Sequence, residues 1–145
     1  MLVEKINQDT DAALKAGETE RLGVLRLLKT SLKNEQIKAG HDVSDNEAMA
    51  VLVREAKQRR DSITAYENAR RPELAKVEQA ELVIIEGYLP KQLGEAEVRA
   101  LVDEAVTSAG ANPQMGAVIG AVRAKAGASA DGAMIAQLVR ERLGQ

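Results

Sequence analysis

The residues in this chain best suited to chemistry are cations, and their spacing suits the binding of phosphate groups. Arg26, Lys29 and Lys33 are three and four residues apart, so a helix through them carries all three on one face. Arg54, Lys57 and Arg60 sweep part of a second face, with Arg59 beside them. Two such helices side by side would make a basic patch able to follow a phosphate backbone by neutralising its charge. The competing reading is a pair of solvated helix faces with i,i+4 partners such as Glu55–Arg59. Both readings stay open at the level of the sequence.

Other chemistries have little to stand on. Cysteine is absent, which removes thiolate zinc sites, disulfides and a Cys nucleophile. The one histidine, His41, falls in a predicted turn between helices and is expected to be exposed and inert. There is no G-x-S-x-G elbow, no S-x-x-K and no phosphate-binding G-x-x-x-x-G-K-[ST] loop. The small-residue loop 126–132 precedes a helix N-terminus, but Asp131 would repel a phosphate there and reads as a cap. Gly116 and Gly120 form a small-xxx-small pair, which predicts close approach of a neighbouring helix. No cofactor and no metal is expected. With two tyrosines and no Phe or Trp, a base-stacking platform is out of reach, so any nucleic acid bound should be structured RNA held by phosphate and shape.

These residues need elements to position them, and the elements read as helices. The chain has 145 residues, 45% hydrophobic and 29% charged, a globular balance with Ala, Leu and Val available for the core. The predicted helices are 2–16, stopped by Gly17; 19–39, stopped by Gly40; a third from about Asp45, opened by the Ser44/Glu47 capping box and running to the Arg70–Arg71 pair; and a fourth from Pro72 that must stop before Pro90. Three more follow: 95–109, one from Pro113 to about Lys125 capped by Asn112, and a last one capped by Asp131. The Gly87–Gly94 stretch around Pro90 predicts a boundary. The expected architecture is therefore all-α, with an N-terminal helical domain over 1–90 and a C-terminal helical domain over 91–145. Net charge is −2, so nucleic-acid binding would rest on a local patch rather than on the whole surface. The start lacks the apolar segment of a signal peptide, and the strongest apolar run, 82–89, is interrupted by Glu86 and too short for a membrane span. A cytoplasmic protein with no membrane partner is the expectation.

The order and spacing of several short motifs resemble the GatB/YqeY family, specifically its stand-alone YqeY-like members. They are Arg26–Leu27–Leu28–Lys29 with Ser31–Leu32–Lys33–Asn34–Glu35, then the run from Arg54 to Ser62, Tyr88–Leu89–Pro90 with Gln92–Leu93, Met115–Gly116, and Ala130–Asp131–Gly132 leading into Gln137–Leu138–Val139. The resemblance implies two helical domains. It also implies that the second half is similar to the tail of the B subunit of the amidotransferase that converts Glu-tRNA(Gln) to Gln-tRNA(Gln). That tail helps to hold tRNA, while the chemistry lies elsewhere in the enzyme. On this resemblance Arg123 and Lys125 join the candidate RNA contacts, with Arg140 and Arg142 also available. The turn 124–129 is poorer in basic residues than such tails, and Gly94 stands where the family often has a Ser cap.

The function expected is an accessory tRNA-binding or tRNA-metabolism module without a catalytic site of its own. Two alternatives accompany it. One is an interaction adaptor for an amidotransferase, a synthetase or the ribosome, which exposed Leu or Met on the second domain would support. The other is a carbon–nitrogen ligase with glutamine as amide donor, an activity inherited by family label from the larger enzyme.

Overall fold

A computed structural model describes residues 1–144. Its regular structure is helical, with no strand among the described residues: α1 Leu2–Ala16, α2 Thr19–Ala39, α3 Asp45–Asn68, α4 Pro72–Glu86, α5 Glu95–Ala109, α6 Met115–Ala126 and α7 Gly132–Leu143. One short 3-10 turn, Gly127–Ser129, precedes α7.

The helix ends follow from local chemistry. Gly17 and Gly40 close α1 and α2 at φ 71° and 76°, a left-handed conformation that costs a side-chain-bearing residue about 1–2 kcal/mol. At the start of α3 the Ser44 Oγ accepts the Glu47 N–H and the Glu47 carboxylate accepts the Ser44 N–H, each at 3.2 Å. This reciprocal pair satisfies two backbone donors that a helix start leaves open. Pro72 opens α4, where its missing N–H is harmless. The Asp131 carboxylate accepts the Ala133 N–H at 3.2 Å and caps α7.

Two ends differ from the sequence expectation. α3 stops at Asn68 rather than at the arginine pair. Arg70 takes up the left-handed conformation at φ 58°, and the Arg71 N–H turns back to the Tyr66 carbonyl at 2.8 Å. This is the closing bond that a glycine usually allows. α6 starts at Met115, and Asn112 does not cap it. The first carbonyl of its ladder is that of Gln114, which accepts the Val118 N–H at 3.0 Å.

The chain divides into two compact units, Met1–Leu89 and a second that begins at Pro90. The first buries Ile6, Leu25, Leu28, Leu52 and Ile85 among α1–α4. The second buries Val98, Val102, Val118, Val122, Ile135 and Leu138 among α5–α7. Small, branched side chains let these helices approach closely without aromatic filler. Among the described residues no helix is long and apolar enough to cross a membrane.

A polar latch ties the start of the first unit to its end. The Tyr88 hydroxyl donates to Asp9 Oδ2 at 2.5 Å, and Arg21 of α2 lies 3.5 Å from that hydroxyl and 3.9 Å from Asp9. Burial, then the Asp9 carboxylate, pushes the Tyr88 phenol far above its ordinary pKa of 10.0, so it stays a donor. Tyr88→Phe is expected to lower stability by about 1.5 kcal/mol, the low end for a hydrogen bond to a charged acceptor, because the pair is only part-buried. Urea denaturation checks this, and an unchanged midpoint would show that the latch carries no stability.

Candidate nucleic-acid interface

The nine candidate cations separate into groups with different partners. On α2, Arg26, Lys29 and Lys33 are exposed, and none meets a carboxylate at ion-pair distance among the described residues. Arg26 points to solvent. Lys29 and Lys33 turn toward α1, where they line one cleft with Val3 and Asn7.

Every candidate on α3 meets a carboxylate. Arg54 reaches back to Glu35 of α2 at 3.0 Å, Lys57 pairs with Asp61 at 3.8 Å, and Arg60 lies 3.6 Å from Glu86 of α4. Arg59 is the most committed. Its side chain is only 15% exposed, and its guanidinium faces Glu55 at 3.4 Å, Glu78 at 3.7 Å and Glu81 at 2.9 Å. The Ser31 hydroxyl donates to Glu55 at 2.8 Å, which brings α2 into the same cluster. Arg59 Nε is buried and faces the Glu81 carboxylate at 2.9 Å, which makes this the closest of its three ion pairs. Burial and the neighbouring Glu78 charge raise the Glu81 carboxyl above its ordinary 4.5, against the pull of Arg59. Arg59 thus works as a strut between α3 and α4 and is withdrawn from any surface patch. The two basic stripes do not merge, because α2 directs its cations outward and toward α1 while α3 directs Arg59 and Arg60 toward α4.

In the second unit Lys125 pairs with Glu104, and Arg142 with Asp103 at 3.0 Å. The Arg123 guanidinium lies against Gly132, in space that a Cβ there would occupy. Among the described residues the small pair Gly116 and Gly120 receives no neighbouring helix: a Cβ built at either meets nothing within 4 Å. This corrects the packing expectation. Both glycines sit within α6 with open space above them, so Gly120→Ala is expected to stabilise the second unit by up to about 1 kcal/mol through helix propensity alone. A melting temperature that falls instead would reveal a neighbour not visible in the monomer.

Among the described residues the exposed large apolar side chains lie in the first unit, with Leu27, Ile37, Val77 and Val83 among them. The exposed Leu or Met that an adaptor role was expected to show on the second unit is not found among its described residues.

The cleft between α1 and α2 has a volume of about 180 Å³, with Leu32 and Val43 adding to its apolar wall and Gln36 closing it. A shallower hollow of about 360 Å³ continues it past Lys33 and Gln36 to Ile37, Gly40 and His41. His41 is exposed, as expected. Its Nδ1 lies 2.8 Å from the Asp42 carbonyl and its Nε2 3.8 Å from Glu47. The carbonyl first and the Glu47 charge second raise its pKa above the ordinary 6.5, so it carries more positive charge near neutrality than a free histidine. Neither hollow was legible in the sequence, since each needs the register of α1 against α2 and the path of loop 40–44.

Comparison with known proteins accords with this architecture. The chain is 22% identical over 151 residues to "Altered inheritance of mitochondria protein 41, mitochondrial" of Pyrenophora tritici-repentis (strain Pt-1C-BFP), covering 99% of this chain and 82% of that protein. The family model described as "Yqey-like protein" matches residues 3–143. A match running from the first helix to the last shows that the chain belongs to the YqeY family.

Proposed function

We propose that this protein is an accessory tRNA-binding module that holds structured RNA along α2 and carries out no reaction of its own. One observation supports the reading above others: Arg26, Lys29 and Lys33 share one side of a helix, reach solvent and lack carboxylate partners among the described residues. A cation already neutralised by a neighbour gains little from a phosphate, because the existing pair must first be broken. An unpartnered one releases a phosphate counterion at full effect. In this reading Lys57 and Arg60, at the α3 surface, are secondary contacts, as are Arg123 and Lys125. Arg54 and Arg59 keep structural roles.

The test is binding of the purified protein to bulk tRNA at about 50 and 200 mM salt, with duplex DNA as control. The expected result is salt-sensitive binding that prefers tRNA. No binding at the lower salt would end this reading and leave the α2 cations as a solvated helix face.

A further inference from the structure

We propose that the cleft between α1 and α2 receives one unpaired nucleotide of the bound RNA, the base entering the cleft and its flanking phosphates meeting Lys29 and Lys33. The inference deepens the tRNA-binding reading and rests on it. Three observations carry it. The cleft is a real concavity of about 180 Å³, continued by the hollow of about 360 Å³ beyond Lys33. Its wall includes Val3, Leu32 and Val43, an apolar surface on which the face of an unstacked base can leave water. Its polar groups are of the kind that read base edges: the Asn7 amide makes no hydrogen bond among the described residues, and Gln36 has its amide N–H₂ fixed on Asp42 at 2.6 Å, leaving its carbonyl oxygen as an acceptor.

The lysines place the nucleotide's charged side. Lys29 and Lys33 are one helical turn apart on the same edge of the cleft, so successive phosphates can sit over successive lysines. His41 adds positive character at the far end, although Asp42 beside it opposes a second anion there. The cleft therefore discriminates by strand pairing. A base already paired in a duplex cannot enter, whereas a loop or an unpaired end can.

The test combines one substitution with one direct probe. Asn7→Leu removes the amide and fills the cleft entrance without changing charge, on an exposed helix position where folding is readily confirmed by circular dichroism. It is expected to weaken tRNA binding roughly tenfold while leaving the salt slope unchanged, and to leave binding to blunt duplex RNA as it was. In parallel, a single-stranded pentaribonucleotide titrated into the labelled wild-type protein is expected to shift the side-chain amide resonances of Asn7 and Gln36. If tRNA binds wild type and Asn7→Leu equally and those resonances stay still, the cleft proposal falls and the tRNA reading stands. If wild type binds no tRNA at low salt, both fall together. If an oligoglutamate peptide moves the two amides and the oligonucleotide does not, the cleft is an acidic-peptide site and the proposal is overturned.

Discussion

Arg59→Met is expected to destabilise the first unit by about 3 kcal/mol, the low end of what breaking a buried pair costs, because the site is 15% exposed rather than sealed. The mechanism is the charge left behind. Three carboxylates, Glu55, Glu78 and Glu81, are 15–22% exposed and share this one guanidinium. Without it they repel one another where water screens them poorly. Glu81→Gln in the Arg59→Met background should recover part of the loss, and Glu81→Gln alone should be close to neutral. The deficit should also depend on pH. A carboxyl whose folded pKa is raised binds its proton more tightly in the folded state than in the unfolded one. Stability is then lost as pH rises through the interval between 4.5 and the folded value, and is regained on acidification. Removing Arg59 widens that interval, so the gap between variant and wild type should narrow from about pH 7 to about pH 5. Denaturant midpoints at the two pH values decide it. A variant within about 0.5 kcal/mol of wild type would show that the cluster is only a surface decoration.

Replacing Arg26, Lys29 and Lys33 together by Ala should lower the salt slope of tRNA binding by about two to three units, each lost phosphate contact contributing about 0.7–0.9. At about 0.1 M salt each contact accounts for nearly a decade of affinity relative to 1 M, so the triple variant should bind roughly 10²–10³-fold more weakly. Its fold should survive, since all three side chains are exposed and none makes an ion pair among the described residues. The pair Lys57→Ala and Arg60→Ala should change the slope less, because Asp61 and Glu86 already hold those cations. Equal slopes for wild type and the triple variant would move the interface off α2.

The helices were legible because their ends are written locally. Gly17, Gly40, the Ser44/Glu47 box, Pro72 and Asp131 act on bonds within a few residues, so a linear reading finds them. The arginine pair misled by two residues because Arg70 occupies a position that glycine normally fills. The candidate site was legible only in part. The Glu55–Arg59 partnership is one turn long and visible in sequence. The partners that decide which cations remain available are distant: Glu78 and Glu81 for Arg59, Glu35 for Arg54, Glu86 for Arg60. Charge spacing gives the face of a helix but not what the next helix puts against it. The Tyr88–Asp9 contact and the α1–α2 cleft were invisible for the same reason.

The partners of that tyrosine contact are 79 residues apart. The α3–α4 hairpin, by contrast, is closed by a turn of three residues, Ala69–Arg71, and its contacts are local. Loop-closure entropy therefore orders assembly: the α1–α2 and α3–α4 hairpins are early events, and the closing of Tyr88 onto Asp9 a late one. For a chain made from its N-terminus, α1 can pack on α2 once both have emerged, and it is the polar tie of its Asp9 that waits for Tyr88. The last step in completing the first unit is thus the docking of its own C-terminal end, and truncation just before Tyr88 would cost it this tie and the buried Leu89 while leaving α1 packed on α2.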